Sequence, residues 1–235
     1  MNKSIDIVLP VYNESKNLEK RFLILYEYMK KHFNKDWIIT IAENGSKDNT
    51  LQLAKALQSK YKNSRVISNS EAGKGLALKN AWLTSTADIF GYMDSDLSTD
   101  IEIIPQFINK ISQENYDFVI GSRLIKGSKV IGRSLKREII SRSYSKIFRF
   151  ILAVNFFDAQ CGFKFAKKES VLKIIDDCKD KEWFFDTELL YKAEKNNLSI
   201  CEVPVIWVDD KDSSVNLIST IINDLIGLVR LRLGK

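Results

Sequence analysis

Apolar and polar positions alternate in blocks along the first half of the chain. Residues 5–9 form a short apolar-rich run of strand length, after which Leu18, Phe22, Leu25, Tyr26 and Met29 recur at helical spacing. Residues 37–42 read as a second strand and 49–60 as a helix, with Asp48 as its cap. The pattern repeats: strand 65–68, helix 75–84, strand 89–93, helix 101–111, strand 118–120. Alternation at this pitch predicts an α/β fold, a mostly parallel sheet with helices on both faces. We expect one catalytic domain over residues 1–212 and an amphipathic helix over 213–235.

Ligands on such sheets bind beyond the carboxyl ends of the strands. The polar residues collect there: Pro10-Val11-Tyr12-Asn13-Glu14, then Glu43-Asn44-Gly45-Ser46-Lys47-Asp48, Ala72-Gly73-Lys74-Gly75, Asp94-Ser95-Asp96 and Gly121-Ser122-Arg123. Successive strand ends of this kind converge on one crevice.

Composition removes several chemistries. The single histidine, His32, argues against Ser-His-Asp hydrolases and HExxH metalloproteases. Cys161, Cys178 and Cys201 form no CxxC pair, so a zinc knuckle and a secreted disulfide framework both fail and a reducing cytosol fits. The first residues do not read as a signal peptide, and no run approaches the ~18 apolar residues of a spanning helix. Charge adds a positive clue. Of the net +6, the stretch from Arg123 to Arg149 holds nine Lys/Arg against Glu138 alone, a local +8 that leaves −2 elsewhere. Such a patch either meets an anionic partner or is a solvated helix face.

Two carboxylates at i and i+2 after an apolar strand, Asp94 and Asp96, can share one hard cation, Mg²⁺ or Mn²⁺, and leave positions open for diphosphate oxygens. Gly73-Lys74-Gly75 could bring backbone close to a phosphate, with Lys74 as a point charge. It is neither a Walker A loop nor a Rossmann GxGxxG. Pro10 and Tyr12 would wall a base pocket, Glu14 could line it, and Glu43 could accept a ring N–H. Arginine suits bidentate phosphate binding, which singles out Arg123 and Arg137.

In order, VLPVYNE, ENGSKDNT, AGKGLALKNA, DSDLSTD and GSR resemble the nucleotide-sugar domain of family 2 glycosyltransferases. DAQCGFK from Asp158 and WFFDTELL from Trp183 are similar to the dolichyl-phosphate β-glucosyltransferase branch, with the dolichyl-phosphate mannose synthases as near relatives. The likeness runs from about Ile5 to Arg232. It implies a GT-A-type, Rossmann-like fold and an inverting, metal-dependent transferase. It implies that Asp94 and Asp96 hold the metal, with Asp94 also beside the ribose and diphosphate. Pro10, Tyr12, Glu14, Glu43 and Lys74 would line the nucleotide. Arg123, Arg137 and Ser141 would face an acceptor phosphate, with Asp158 and the Asp186/Glu188 pair near the sugar and Arg123 and Asp158 among the catalytic residues. Departures are Glu43-Asn44 where many relatives carry Asp-Asp, Ser98 where some carry glutamine, and no membrane segments.

The expected reaction moves a hexose, glucose from UDP, onto a polyprenyl- or dolichyl-type lipid phosphate. A phosphate monoester has a second pKa near ~6 and is already nucleophilic at neutral pH, so a strong base is not required. Asp158 and Asp186 could then act as base, bind sugar hydroxyls or buttress basic residues. Competing readings are a GDP-mannose-dependent mannosyltransferase, a family 2 enzyme acting on a glycan hydroxyl, a sugar-phosphate nucleotidyltransferase and a nucleic-acid binder. The nucleotidyltransferase lacks its Gly-rich first loop here. The nucleic-acid binder should interleave aromatics with its basics, and that segment offers only Tyr144 and Phe148, so no nucleic-acid partner is expected. Near the C-terminus Val215, Ile218, Ile221, Ile222, Leu225, Ile226 and Val229 share one helical face that ends in Arg230, Arg232 and Lys235. That helix either lies on an anionic leaflet or packs on the sheet. The expected location is the cytoplasmic face of a membrane, held peripherally by anionic lipid or by a separate membrane subunit.

Overall fold

A computed structural model describes residues 3–34, 36–209 and 217–234. In chain order the strands are β1 (Ile5–Val11), β2 (Trp37–Asn44), β3 (Ser64–Asn69), β4 (Ile89–Met93), β5 (Phe118–Ser122), β6 (Lys129–Ile131), β7 (Phe163–Lys167), β8 (Ile200–Pro204) and β9 (Ile206–Val208). The helices are α1 (Leu18–His32), α2 (Thr50–Lys60), α3 (Lys74–Leu83), α4 (Ile104–Ser112), α5 (Leu135–Leu152), α6 (Lys168–Leu172), α7 (Phe185–Lys195) and α8 (Leu217–Arg232).

Seven strands form the main sheet in the order β3-β2-β1-β4-β7-β5-β8, and β6 pairs with β9 in a small second sheet. All main-sheet pairings are parallel except those of β7, which runs antiparallel between β4 and β5. The expected mostly parallel sheet is therefore present, with one reversed strand. Side chains alternate across it: Ile7 and Leu9 face the cluster built with α1, α2 and α4, while Val8 faces the cluster built with α3, α5, α7 and α8. Helices thus cover both faces. The expected 101–111 helix starts as a 3₁₀ turn over Ile101–Ile103, and α4 follows with a proline in its first turn.

The C-terminal helix corrects the sequence reading. It packs on the domain through Asp224, Gly227, Leu228 and Leu231, all buried. Gly227 permits this, because a Cβ there would lie 2.4 Å from the Phe184 ring. The face expected to seek an apolar surface is turned outward: Ile222, Leu225, Ile226 and Val229 are exposed. Of the two alternatives weighed from sequence, the helix packs on the domain, and its apolar stripe stays exposed. The boundary at 212/213 and Val215 lie outside the described residues, as does the side chain of Ile218.

Candidate active site

The carboxyl ends of the strands open into a cavity of about 380 Å³. Pro10, Tyr12 and Glu14 reach it from the end of β1, Lys74 from the first turn of α3, and Asp94 and Asp96 from the end of β4. Arg123 follows β5, Arg137 and Ser141 project from α5, and Asp186 from α7. Of the residues singled out from sequence, only Glu43, Asp158 and Glu188 do not line it.

Those three are placed differently for local reasons. Glu43 is buried, and its carboxylate accepts the Ser46 N–H at 2.5 Å and the Ser68 hydroxyl at 2.8 Å. It braces the loop behind the wall, and its neighbour Asn44 lines the cavity instead. Glu188 lies two residues beyond Asp186 on α7, so it points to another side of the helix. There it accepts the Lys179 and Asp180 N–H groups and pairs with Arg230 of α8 at 3.0 Å. Asp158 sits just behind Arg123, whose Nε and Nη2 reach its two oxygens at 2.8 and 2.9 Å and whose backbone N–H adds a third bond. The glycines around Lys74 also serve the protein rather than an open phosphate cradle. A Cβ on Gly73 would lie 2.5 Å from the Lys181 carbonyl, and one on Gly75 2.5 Å from Phe185.

Lys74 is buried and bridges Asp94 at 2.9 Å and Asp186 at 3.3 Å. Burial alone would weaken its hold on the proton, but the two carboxylates outweigh it and raise its pKa. Its ammonium also lies over the Trp183 and Tyr92 rings, at 4.8 and 5.1 Å. Asp186 in turn meets Lys164 at 3.0 Å and the Tyr92 hydroxyl. Burial pushes its carboxyl up, and Lys164 and Lys74 more than reverse this, leaving it below the usual range. Asp94 is clamped against β7: its N–H donates to the Gly162 carbonyl at 2.8 Å, and a Cβ on Gly162 would lie 1.8 Å from Asp94 Oδ2. Only glycine fits there.

Asp94 and Asp96 are the residues suited to a divalent cation. Among the described residues no cluster of three or more His, Cys, Asp or Glu is arranged for a metal. The pair still fits an ion whose other ligands come from a diphosphate and water. Burial and the neighbouring Asp94 charge both raise the Asp96 carboxyl, a repulsion that a hard cation would relieve.

The opposite end of the cavity is cationic. Arg123, Arg133 and Arg137 line it together with Ser141. Arg123 stacks over Trp207 at 4.8 Å. Its guanidinium is held charged because Asp158 overcomes the burial penalty, and the Asp158 carboxyl is correspondingly lowered. Arg137 pairs with Asp209 at 2.6 Å, and Arg133, 3.9 Å from the same carboxylate, is pushed down by burial and by Arg123. Sequence reasoning counted Arg133 only as part of the basic run. It missed Gln160 and Trp183, whose only signal was their place inside the downstream motifs, and Trp207 and Asp209, which no motif marked.

The sequence model of Glycosyl transferase family 2 matches residues 6–175. The chain is 31% identical over 220 residues to Glycosyltransferase AglD of Haloferax volcanii, covering 93% of this chain and 35% of that protein. It is therefore similar to about a third of that longer relative. It is 29% identical over 243 residues to a dolichyl-phosphate beta-glucosyltransferase of Dictyostelium discoideum, covering 98% of this chain and 74% of the relative. In structure it is similar to glucosyl-3-phosphoglycerate synthase of Mycobacterium tuberculosis in complex with Mn²⁺, UDP and its glucosylated product, with a TM-score of 0.72 at 18% identity over 99% of this chain and 81% of that one. The fold is of the GT-A type.

Proposed function

The chain belongs to glycosyl transferase family 2, and from that premise we propose that it transfers glucose from UDP-glucose to a polyprenyl- or dolichyl-type lipid phosphate, with inversion at the anomeric carbon. One observation carries the choice of acceptor. The two carboxylates weighed as a base from sequence are both locked onto cations, Asp158 onto Arg123 and Asp186 onto Lys74 and Lys164. Their lowered pKa values make them poor proton acceptors. A phosphate monoester needs no proton removed, and the cavity wall also carries Arg123, Arg133 and Arg137.

In this reading Lys74 stabilises charge on the leaving UDP diphosphate, and Asp94 and Asp96 hold the divalent cation, Mg²⁺ or Mn²⁺. That cation would supply Lewis-acid stabilisation of the leaving diphosphate. Tyr12 and Pro10 flank the uridine, while Arg123, Arg137 and Ser141 orient the attacking phosphate for in-line displacement. Asp158 positions Arg123. The D. discoideum relative's name, a dolichyl-phosphate glucosyltransferase, supports the sugar and the acceptor, and the UDP complex of the structural neighbour supports the donor.

The proposal extends to location. No helix among the described residues is long and apolar enough to cross a membrane. Yet α5 exposes Leu135, Ile139, Ile147 and Phe150, and α8 exposes Ile222, Leu225, Ile226 and Val229, with Leu233 just beyond its end. The two helices pack on each other, and α5 carries Lys136, Arg142, Lys146 and Arg149. Apolar side chains beside basic ones suit the surface of an anionic leaflet, which supports a peripheral place at the cytoplasmic face of a membrane. The test is direct: incubate the purified chain with labelled UDP- and GDP-sugars, Mg²⁺ or Mn²⁺, and short polyprenyl phosphates. A labelled glucosyl lipid phosphate is expected. Label on a glycan hydroxyl alone, or from GDP-mannose alone, would replace this reading with one of its competitors.

A further inference from the structure

Beside the main cavity lies a second one of about 100 Å³, lined by Arg123, Tyr144, Phe148, Asp158, Gln160 and Asp224 among others. Asp224 is the anomaly. It is a carboxylate 2% exposed, on the C-terminal helix, facing a space walled largely by apolar side chains. Its Oδ2 accepts from Gln160 Nε2 at 2.6 Å, while Oδ1 has no hydrogen-bond partner among the described residues. A buried carboxylate oxygen left unpaired is costly unless a proton or a ligand meets it.

Gln160 links this group to the acceptor end. It lines both cavities, and its backbone N–H reaches Asp158 Oδ1 at 3.3 Å, the same oxygen that holds Arg123 Nη2. The chain of contacts therefore runs from α8 through Asp224, Gln160 and Asp158 to Arg123. Ser141 also faces both cavities. Resting on the reading of an anionic acceptor at Arg123, we propose that Asp224 is a positioning residue of the acceptor end, acting through Gln160, and that its charge sets the affinity for the acceptor phosphate.

The sign follows from electrostatics. A neutral Asp224 leaves Arg123 and its neighbours free to attract a phosphate, whereas an ionised one adds a negative charge to the same cavity wall. Arg123 after β5, Tyr144 on α5, and Asp158 and Gln160 before β7 line the cavity with Asp224, and the charges of Asp180 before α7 and Asp186 on α7 also act on it. Burial, helped by the Asp180 and Asp186 charges, pushes its carboxyl up to about 7 against the opposing bond from Gln160. Charge on Asp224 thus changes within the physiological range, and acceptor binding weakens as pH rises through it.

The experiment compares wild type with Asp224→Asn and Asp224→Ala between pH 6 and 8.5. Two readouts are taken: transfer kinetics with UDP-glucose and a short polyprenyl phosphate, and calorimetric binding of that phosphate with UDP present. Because the phosphate itself gains charge near pH ~6, wild type is scored against Asp224→Asn, isosteric and neutral, at each pH. The wild-type to Asn ratio of acceptor KM and Kd should rise roughly tenfold across the range, as expected for a charged contact of ~1.4 kcal/mol, with donor KM flat. Asp224→Ala should raise acceptor KM several-fold at every pH by releasing Gln160. An Asn variant that tracks wild type at each pH, or a donor KM that moves in parallel, overturns the inference. Binding scores the variants even without turnover. Wild type that transfers to the lipid phosphate while Asp224→Asn behaves identically sinks this inference alone. Wild type that neither binds nor glucosylates the lipid phosphate sinks the acceptor reading and this inference together.

Discussion

Removing the Asp158 carboxylate should both destabilise the protein and impair acceptor use, and the two effects can be separated. Asp158 is 3% exposed and accepts three hydrogen bonds from Arg123, whose side chain is itself largely buried. Deleting one partner of such a pair leaves an uncompensated buried charge, a loss of ~3–5 kcal/mol. For a domain of this size each kcal/mol lowers Tm by ~2–4 °C, so Asp158→Ala should melt roughly 6–20 °C below wild type. Replacing both partners, Arg123→Met with Asp158→Leu, should recover most of that loss, because neither charge is then stranded. Urea unfolding of wild type, Arg123→Met, Asp158→Leu and the double variant closes the double-mutant cycle.

The pH dependence follows from the direction of the shift. The folded Asp158 carboxyl titrates below its unfolded value, so its contribution is fully present above about pH 4 and is lost as pH falls through the folded value. The stability gap between wild type and Asp158→Asn should therefore be constant from pH 5 to 8 and shrink below. In kinetics, Asp158→Asn should raise acceptor KM with donor KM unchanged, because only Arg123 is misplaced. A fall in kcat of ~10²–10⁴-fold with acceptor KM unchanged would identify Asp158 as a general base and refute the argument. An Asp158→Ala protein that melts with wild type would refute the energetic half.

Asp96→Ala should keep the fold yet abolish transfer and the Mn²⁺-dependent binding of UDP; full activity of this variant in EDTA would remove the metal role. Arg137→Ala should raise acceptor KM by roughly 10–150-fold for a lost charged contact of ~1.5–3 kcal/mol, with nucleotide affinity unchanged; the reverse pattern would exchange the two ends of the cavity. Ile226→Glu and Phe150→Glu should each reduce co-sedimentation with anionic vesicles without changing Tm, since both side chains are solvent-exposed; absence of wild-type binding at low salt would point to a membrane subunit instead. In Mn²⁺, UDP should raise Tm more than GDP, with ~2.7 kcal/mol of stabilisation at 100 times Kd; a larger shift with GDP would favour the mannosyl donor.

The position of the site was legible in the sequence because it depends on local patterning. Apolar runs of strand length mark β1, β2, β4 and β5, and a parallel sheet delivers the residues that follow them to one edge. Pro10, Tyr12, Lys74, Asp94, Asp96 and Arg123 meet for that reason. Direction within the site was not legible, because it depends on partners distant in the chain. Asp186 and Glu188 read alike in WFFDTELL, but one turns to Lys74 and the other to Arg230, a choice made by the rotation of α7. Glu43 offered a free carboxylate on paper and spends it on Ser46 and Ser68. The motif after Asp158 gave no sign that β7 would run backwards between β4 and β5, the placement that presses Gly162 against Asp94. The apolar stripe of α8 was plain, but amphipathicity alone does not say which face meets the protein. Burial of Gly227 against Phe184, with Arg230 on Glu188 and Asp224 on Gln160, fixed the small and polar side inward. Periodicity records what each segment has to bury or expose; only the packed neighbours decide what it buries it against.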